Sequence, residues 1–72
     1  MQSRAALATN LRRIREDRGL SQEALADLAE IDRTYVSALE RQKYAASIDM
    51  LDRLAQVLGS SASLLIKEAD QS

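Results

Sequence analysis

Asp27 with Glu30, and Asp49 with Asp52, are carboxylate pairs three residues apart, the spacing that brings two side chains onto one face of a helix. Such a pair serves acid–base chemistry or a divalent cation only with a pocket and further ligands around it. The sequence supplies neither. It has no histidine and no cysteine, so zinc sites, thiol nucleophiles, an imidazole base and disulfides are all closed. Both acid pairs therefore read as solvated helix faces, and we expect no enzyme, no metal and no cofactor. The arginines are the other candidates. Arg12, Arg13 and Arg18 have Glu16 and Asp17 among them, which fits a mixed solvated face better than a basic patch. Arg33, judged by its neighbours alone, is a solvated cation or a partner for Asp32 or Asp27.

The elements that carry these residues follow from composition and periodicity. We expect residues 1–72 to form one small domain, with no room for a separate sensing domain or a large enzyme. Of its residues 46% are hydrophobic, yet the aromatics are Tyr35 and Tyr44 alone, proline is absent and glycine occurs twice. That mixture suits helices joined by tight turns, an all-α fold. Ten basic against eleven acidic residues give a net charge of −1. Eight of the bases and seven of the acids precede residue 44, which leaves the C-terminal part net acidic. No stretch approaches a membrane span or a secretory signal, so a cytoplasmic protein without membrane contact is expected.

Leu7, Leu11, Ile14 and Arg18 make one stripe of a first helix from about Ser3 to Arg18, closed by Gly19 as a left-handed end with Leu20 folding back. Ser21 caps helix 2, with Glu23 in its first turn and Leu25, Leu28 and Ala29 facing inward. Asp32 is the N-cap expected for helix 3, whose inner edge is Val36 and Leu39 and whose outer face is Arg33, Thr34, Ser37, Ala38 and Arg41. The period lapses from Gln42 to Ala46. Ser47 restarts it as the cap of helix 4, where Ile48, Leu51, Leu54, Ala55 and Leu58 repeat at helical spacing up to Gly59. Ser61 caps a last short helix with Leu64, Leu65 and Ile66, and Lys67 to Ser72 is polar and expected to fray.

Within this five-helix chain, residues 22–41 form two short helices joined by about three residues, with small or apolar side chains at Leu25, Ala26, Ala29, Ile31, Val36 and Leu39. Ala26 allows the two to cross closely, and Ile31 plugs the gap. The segment QEALADLAEIDRTYVSALE resembles the helix-turn-helix of the lambda-repressor and Cro-type (XRE-like) family, a compact five-helix DNA-binding fold. LRRIREDRGLSQ is similar to that family's first helix, and SIDMLDRLAQVLG to its fourth. DRTYVSALER is similar to a pattern in the controller proteins of bacterial restriction-modification systems, small dimeric regulators. Two positions depart from the common pattern. Glu30 stands where many relatives have the glycine that takes positive φ, at a cost of about 1 kcal/mol. Arg41-Gln42-Lys43 replaces an Asn-Gly-Lys, so the loop over 42–46 is expected to take a path of its own.

The resemblance implies double-stranded DNA as partner. Arg33, Thr34, Ser37 and Ala38 become base-contacting candidates in the major groove, with Arg33 able to pair bidentately with guanine. Ser21 and Gln22, at the positive end of helix 2, become phosphate contacts, joined by Tyr35, Arg41, Lys43 and Tyr44. Tyr35 packing on helix 2 and Tyr44 covering the core are equally open. Relatives also pair an arginine of helix 1 with a glutamate ending helix 3, which implies a structural ion pair between Arg15 and Glu40.

One helix in one groove contacts few base pairs, so a homodimer on an inverted-repeat operator is expected, with half-sites about 34 Å apart. Met50, Val57, Leu64, Leu65 and Ile66, within a dimerisation region over about 48–67, are the candidate interface, although Leu65 alone fits core closure better. The function implied is transcriptional regulation by a restriction-modification controller protein. A phage-type Cro or repressor is the nearest alternative, and an antitoxin-like protein-binding module is one of another class. Activation would add RNA polymerase as a partner, but no residue pattern marks a surface for it.

Overall fold

The computed structural model describes residues 3–67. They form five helices and no strand: α1 Ser3–Asp17, α2 Gln22–Ala29, α3 Arg33–Glu40, α4 Ile48–Leu58 and α5 Ala62–Ile66. The all-α order read from periodicity is the one observed, with α1 ending one residue early. The fraying expected for Lys67 to Ser72 lies, beyond Lys67, outside the described residues.

Local chemistry starts and stops each helix. Ser21, Ser47 and Ser61 accept hydrogen bonds through Oγ from the amides of Ala24, Met50 and Leu64 at 3.0, 3.2 and 3.2 Å, satisfying donors that the first helical turn leaves free. Asp32 takes the expected N-cap position in extended backbone, but its side chain makes no capping bond. Four helices end alike. In each, a residue in left-handed backbone turns the chain, and the next amide bonds back to a carbonyl five residues earlier: Leu20 to Arg15 at 3.0 Å, Ile31 to Ala26 at 2.9 Å, Lys43 to Ala38 at 2.9 Å and Ser60 to Ala55 at 2.8 Å. Gly19 and Gly59 supply two of these turns. Glu30 at φ 60° and Gln42 at φ 63° supply the others without a glycine's freedom.

The core gathers Leu7 and Leu11 of α1, Leu25, Ala26 and Ala29 of α2, Val36 and Leu39 of α3, Leu51, Leu54, Ala55 and Leu58 of α4, and Leu65 of α5. α1 packs on α3 and α5, α2 on α3 and α4, and α4 on α5. Ala26 is buried and Ile31 half-buried against this core, as the close crossing of α2 and α3 requires.

Three sequence-based expectations change, and a fourth is settled between its two readings. Leu28 is 58% exposed, because the inward arc of α2 is centred on Leu25, Ala26 and Ala29 and leaves Leu28 to one side. Ile48 is 76% exposed while Leu51, Leu54 and Leu58 are buried, so the stripe of α4 meets the core only after its first turn. Ala38, expected to face outward, is buried, since the chain after α3 folds back toward it and the Lys43 amide bonds its carbonyl. Leu65, placed with the interface residues, is a fully buried core residue.

Candidate nucleic-acid interface

Two helix starts and one loop carry the residues of interest. Arg33 and Thr34 open α3 and are exposed, and Ser37, one turn later, is half-buried. Among the described residues no carboxylate lies within 4.0 Å of the Arg33 guanidinium. The pairing with Asp32 or Asp27 is therefore not made, and Arg33 is an exposed residue whose guanidinium carries five donors. Thr34 presents a hydroxyl and a methyl beside it. Ala38 drops out of an exposed reading face because its methyl is covered.

Tyr35 is half-buried and Tyr44 exposed, and their ring centroids stand 6.0 Å apart at 40°. This is an edge-tilted aromatic contact, so Tyr35 packs on the loop after α3. The two rings, with Asp32, Thr34, Ala38, Arg41 and Lys43, line an open cleft of about 420 Å3. Arg41 caps the end of α3, Lys43 follows the left-handed turn at Gln42, and both line this cleft with Thr34. Two cations and two phenol rings can take a phosphate and its sugar there.

At the start of α2, Ser21 and Gln22 have commitments within the protein. The Ser21 hydroxyl oxygen caps the helix, and Gln22 Nε2 donates to Glu40 Oε1 at 3.1 Å. That bond uses one of the amide's two hydrogens. The other remains for a partner outside, as do the amides of Gln22 and Glu23, whereas those of Ala24 and Leu25 are bonded to Ser21.

Glu40 is the centre of the site's support. Its side chain is wholly buried and accepts from Arg15 Nε at 2.7 Å, Arg15 Nη2 at 3.0 Å, Gln22 Nε2 at 3.1 Å and Arg12 Nε at 3.5 Å. Arg15 Nη1 also donates to the Leu20 carbonyl at 2.8 Å. Burial pushes the Glu40 carboxyl upward, but the bonds from Arg15, Gln22 and Arg12 outweigh it and hold it below the usual carboxylate range. The hydrogen bond to Glu40 likewise raises Arg15. The ion pair expected from the resemblance is thus formed, and it joins the end of α3 to α1 and to the start of α2.

The HTH_3 helix-turn-helix family matches residues 11–65. The chain belongs to that family. A hypothetical transcription factor of Neisseria meningitidis is 43% identical over 63 residues, which are 88% of this chain and 59% of the relative. This helix-turn-helix chain therefore spans less than two thirds of the Neisseria protein. Control protein C.SmaI of Serratia marcescens is 35% identical over 92% of this chain and 79% of its own length. The crystal structure of the restriction-modification controller protein C.AhdI from Aeromonas hydrophila superposes with a TM-score of 0.83 at 34% identity, covering 90% of this chain and 98% of that one. An HTH-type transcriptional regulator of Sinorhizobium fredii is also similar, 32% identical over 99% of this chain and 92% of its own length. Asp27, Glu30, Asp49 and Asp52 are all exposed, in keeping with solvated faces.

Sequence reasoning missed two features. Asn10 is 2% exposed and bonds α5. Its signal was present, because it falls three residues after Leu7 and four before Ile14, on the buried stripe itself. Arg53 Nη1 donates to the Ala29 carbonyl at 3.4 Å, placing a cation at the C-terminal end of α2; nothing in the spacing pointed to it.

Proposed function

We propose that this protein is a homodimeric transcriptional regulator that reads an inverted-repeat operator in double-stranded DNA, and that it is a restriction-modification controller. The observation that carries the reading is an unpaired Arg33 at the exposed start of a helix whose other end is bolted to α1 and α2 through Glu40. An arginine free of internal partners on a rigid helix can make the two bonds to guanine O6 and N7 that discriminate by about 1–3 kcal/mol. Thr34 and Ser37 extend that readout. The α2 amides, Gln22, Tyr35, Arg41, Lys43 and Tyr44 hold the backbone, and Ser21 contributes through its amide more than through its committed hydroxyl. Leu64 and Ile66, exposed on α5, and the half-buried Met50 and Val57 of α4 are the candidates for contact with a second copy. The whole-length similarity to C.AhdI supports the controller assignment.

Selection of bound duplexes from a random library tests it, with Arg33→Ala in parallel. An inverted repeat that loses definition at one position per half-site in the variant is the expected result. A folded protein that enriches no motif at low salt would end this reading.

A further inference from the structure

The amide of Asn10 reaches across the fold to the last turn of α5. The two hydrogens of its Nδ2 are shared among the carbonyls of Lys67 at 2.7 Å, Leu65 at 2.9 Å and Leu64 at 3.2 Å. Its Oδ1 accepts from Arg13 Nη2 at 3.2 Å. Chemistry leaves this arrangement no choice of orientation: carbonyls only accept and a guanidinium only donates, so the amide nitrogen must face α5 and the oxygen must face Arg13.

α5 has five residues, Ala62–Ile66, far too few to be stable as an isolated helix. Its C-terminal carbonyls have no following turn to bond. Leu65 anchors one side in the core, and Asn10 caps those carbonyls from 54 to 57 residues away. Leu64 and Ile66 flank Leu65 and project outward, 51% and 40% exposed. Leu65 and the smaller Ala62 pack α5 on the core, and so short a helix can still rock about two such contacts. The bonds from Asn10 remove that freedom.

We infer that Asn10 is a positioning residue for dimerisation: by fixing the rotation of α5 it sets where Leu64 and Ile66 meet a second copy, and thereby the concentration at which the dimer forms. This rests on the homodimer reading above. The test is sedimentation equilibrium on the full chain, comparing wild type, Asn10→Ala, Leu64→Ala and the double variant, alongside urea unfolding of each. Asn10→Ala is expected to weaken dimerisation about tenfold. Removing Leu64 in the Asn10→Ala background is expected to cost less than in wild type, because the two act through one contact. A purely structural Asn10 would shift the urea midpoint and leave the dimer Kd of the folded population unchanged. A variant Kd within twofold of wild type, or strictly additive losses, would overturn the inference while leaving the dimer intact. A wild-type chain that stays monomeric removes the homodimer reading itself, and this inference with it. If Asn10→Ala does not fold, Arg13→Ala carries the test from an exposed position. It removes the bond that holds the amide oxygen and is expected to weaken dimerisation about threefold; an unchanged Kd there counts against the proposal.

Discussion

Arg15 and Glu40 form a two-point ion pair between α1 and the last residue of α3, Nε to Oε2 at 2.7 Å and Nη2 to Oε1 at 3.0 Å, with the carboxylate wholly buried. Desolvation makes such a pair weak evidence for stability when both partners are present. Removing one partner is another matter, since the charge that remains is buried alone. Glu40→Ala is expected to cost about 3–5 kcal/mol in chemical unfolding, and a loss below about 1 kcal/mol would show that water replaces the carboxylate freely.

The same group gives a pH dependence whose direction is set by its depressed pKa. The unfolded chain takes up the proton near pH 4.3, whereas the folded chain resists it to lower pH. The stabilisation is therefore complete above about pH 4.3 and is lost as pH falls through the folded pKa. Thermal melts of wild type and Glu40→Gln from neutral to about pH 3 are expected to differ in slope, with the variant falling less steeply. Parallel slopes would mean that Glu40 is not held low.

Glu30 and Gln42 both sit in left-handed backbone and both are exposed. Glycine relieves about 1 kcal/mol or more of backbone strain at such a position and returns part of it as entropy of the unfolded chain. Glu30→Gly and Gln42→Gly are each expected to raise stability by up to about 1 kcal/mol in urea unfolding. Two destabilised variants would show that the observed turns carry no strain.

Leu64 and Leu65 are neighbours with opposite fates. Leu65 fills the core and Leu64 is exposed, so Leu65→Ala is expected to cost about 2–5 kcal/mol. Leu64→Ala is expected to stay within about 0.5 kcal/mol when the monomer is unfolded and to weaken self-association instead. Equal losses of stability in the two variants would contradict the placement of α5.

Bonds to phosphate and bonds to bases differ in their dependence on salt and sequence. Replacing Arg41 and Lys43 by Ala is expected to lower affinity alike for every duplex and to reduce the slope of log K against log salt by about 0.9 for each phosphate no longer neutralised. Arg33→Ala is expected to relax preference at one base pair. A fluorescence-anisotropy salt series on matched and mismatched duplexes separates the two. An unchanged slope in the double variant would place the phosphate-binding cations elsewhere on the protein.

The helix boundaries were legible because their causes are local. Ser21, Ser47 and Ser61 cap through bonds three residues long, and Gly19 and Gly59 close helices by their own backbone freedom. The Arg15–Glu40 pair was reachable too, but through resemblance, since residues 25 apart carry no local sign of contact. Periodicity misjudged Leu28, Ile48 and Ala38 because it reports a helix's apolar side without saying where along that side another helix lies. Glu30 and Gln42 show the converse case, in which tertiary packing holds residues in a backbone region that their own chemistry disfavours.

The sequence by itself determined five helices, their ends, the helix-turn-helix at 22–41 and Arg33 at the open start of its second helix, because capping, hydrophobic period and turn chemistry act within a few residues of one another. Tertiary structure alone decided that Glu40 adds Arg12 and Gln22 to the arginine that resemblance had assigned to it. It alone put Asn10 on the carbonyls of α5. Those outcomes depend on which helix covers which face, and that is settled by packing between residues far apart in the chain.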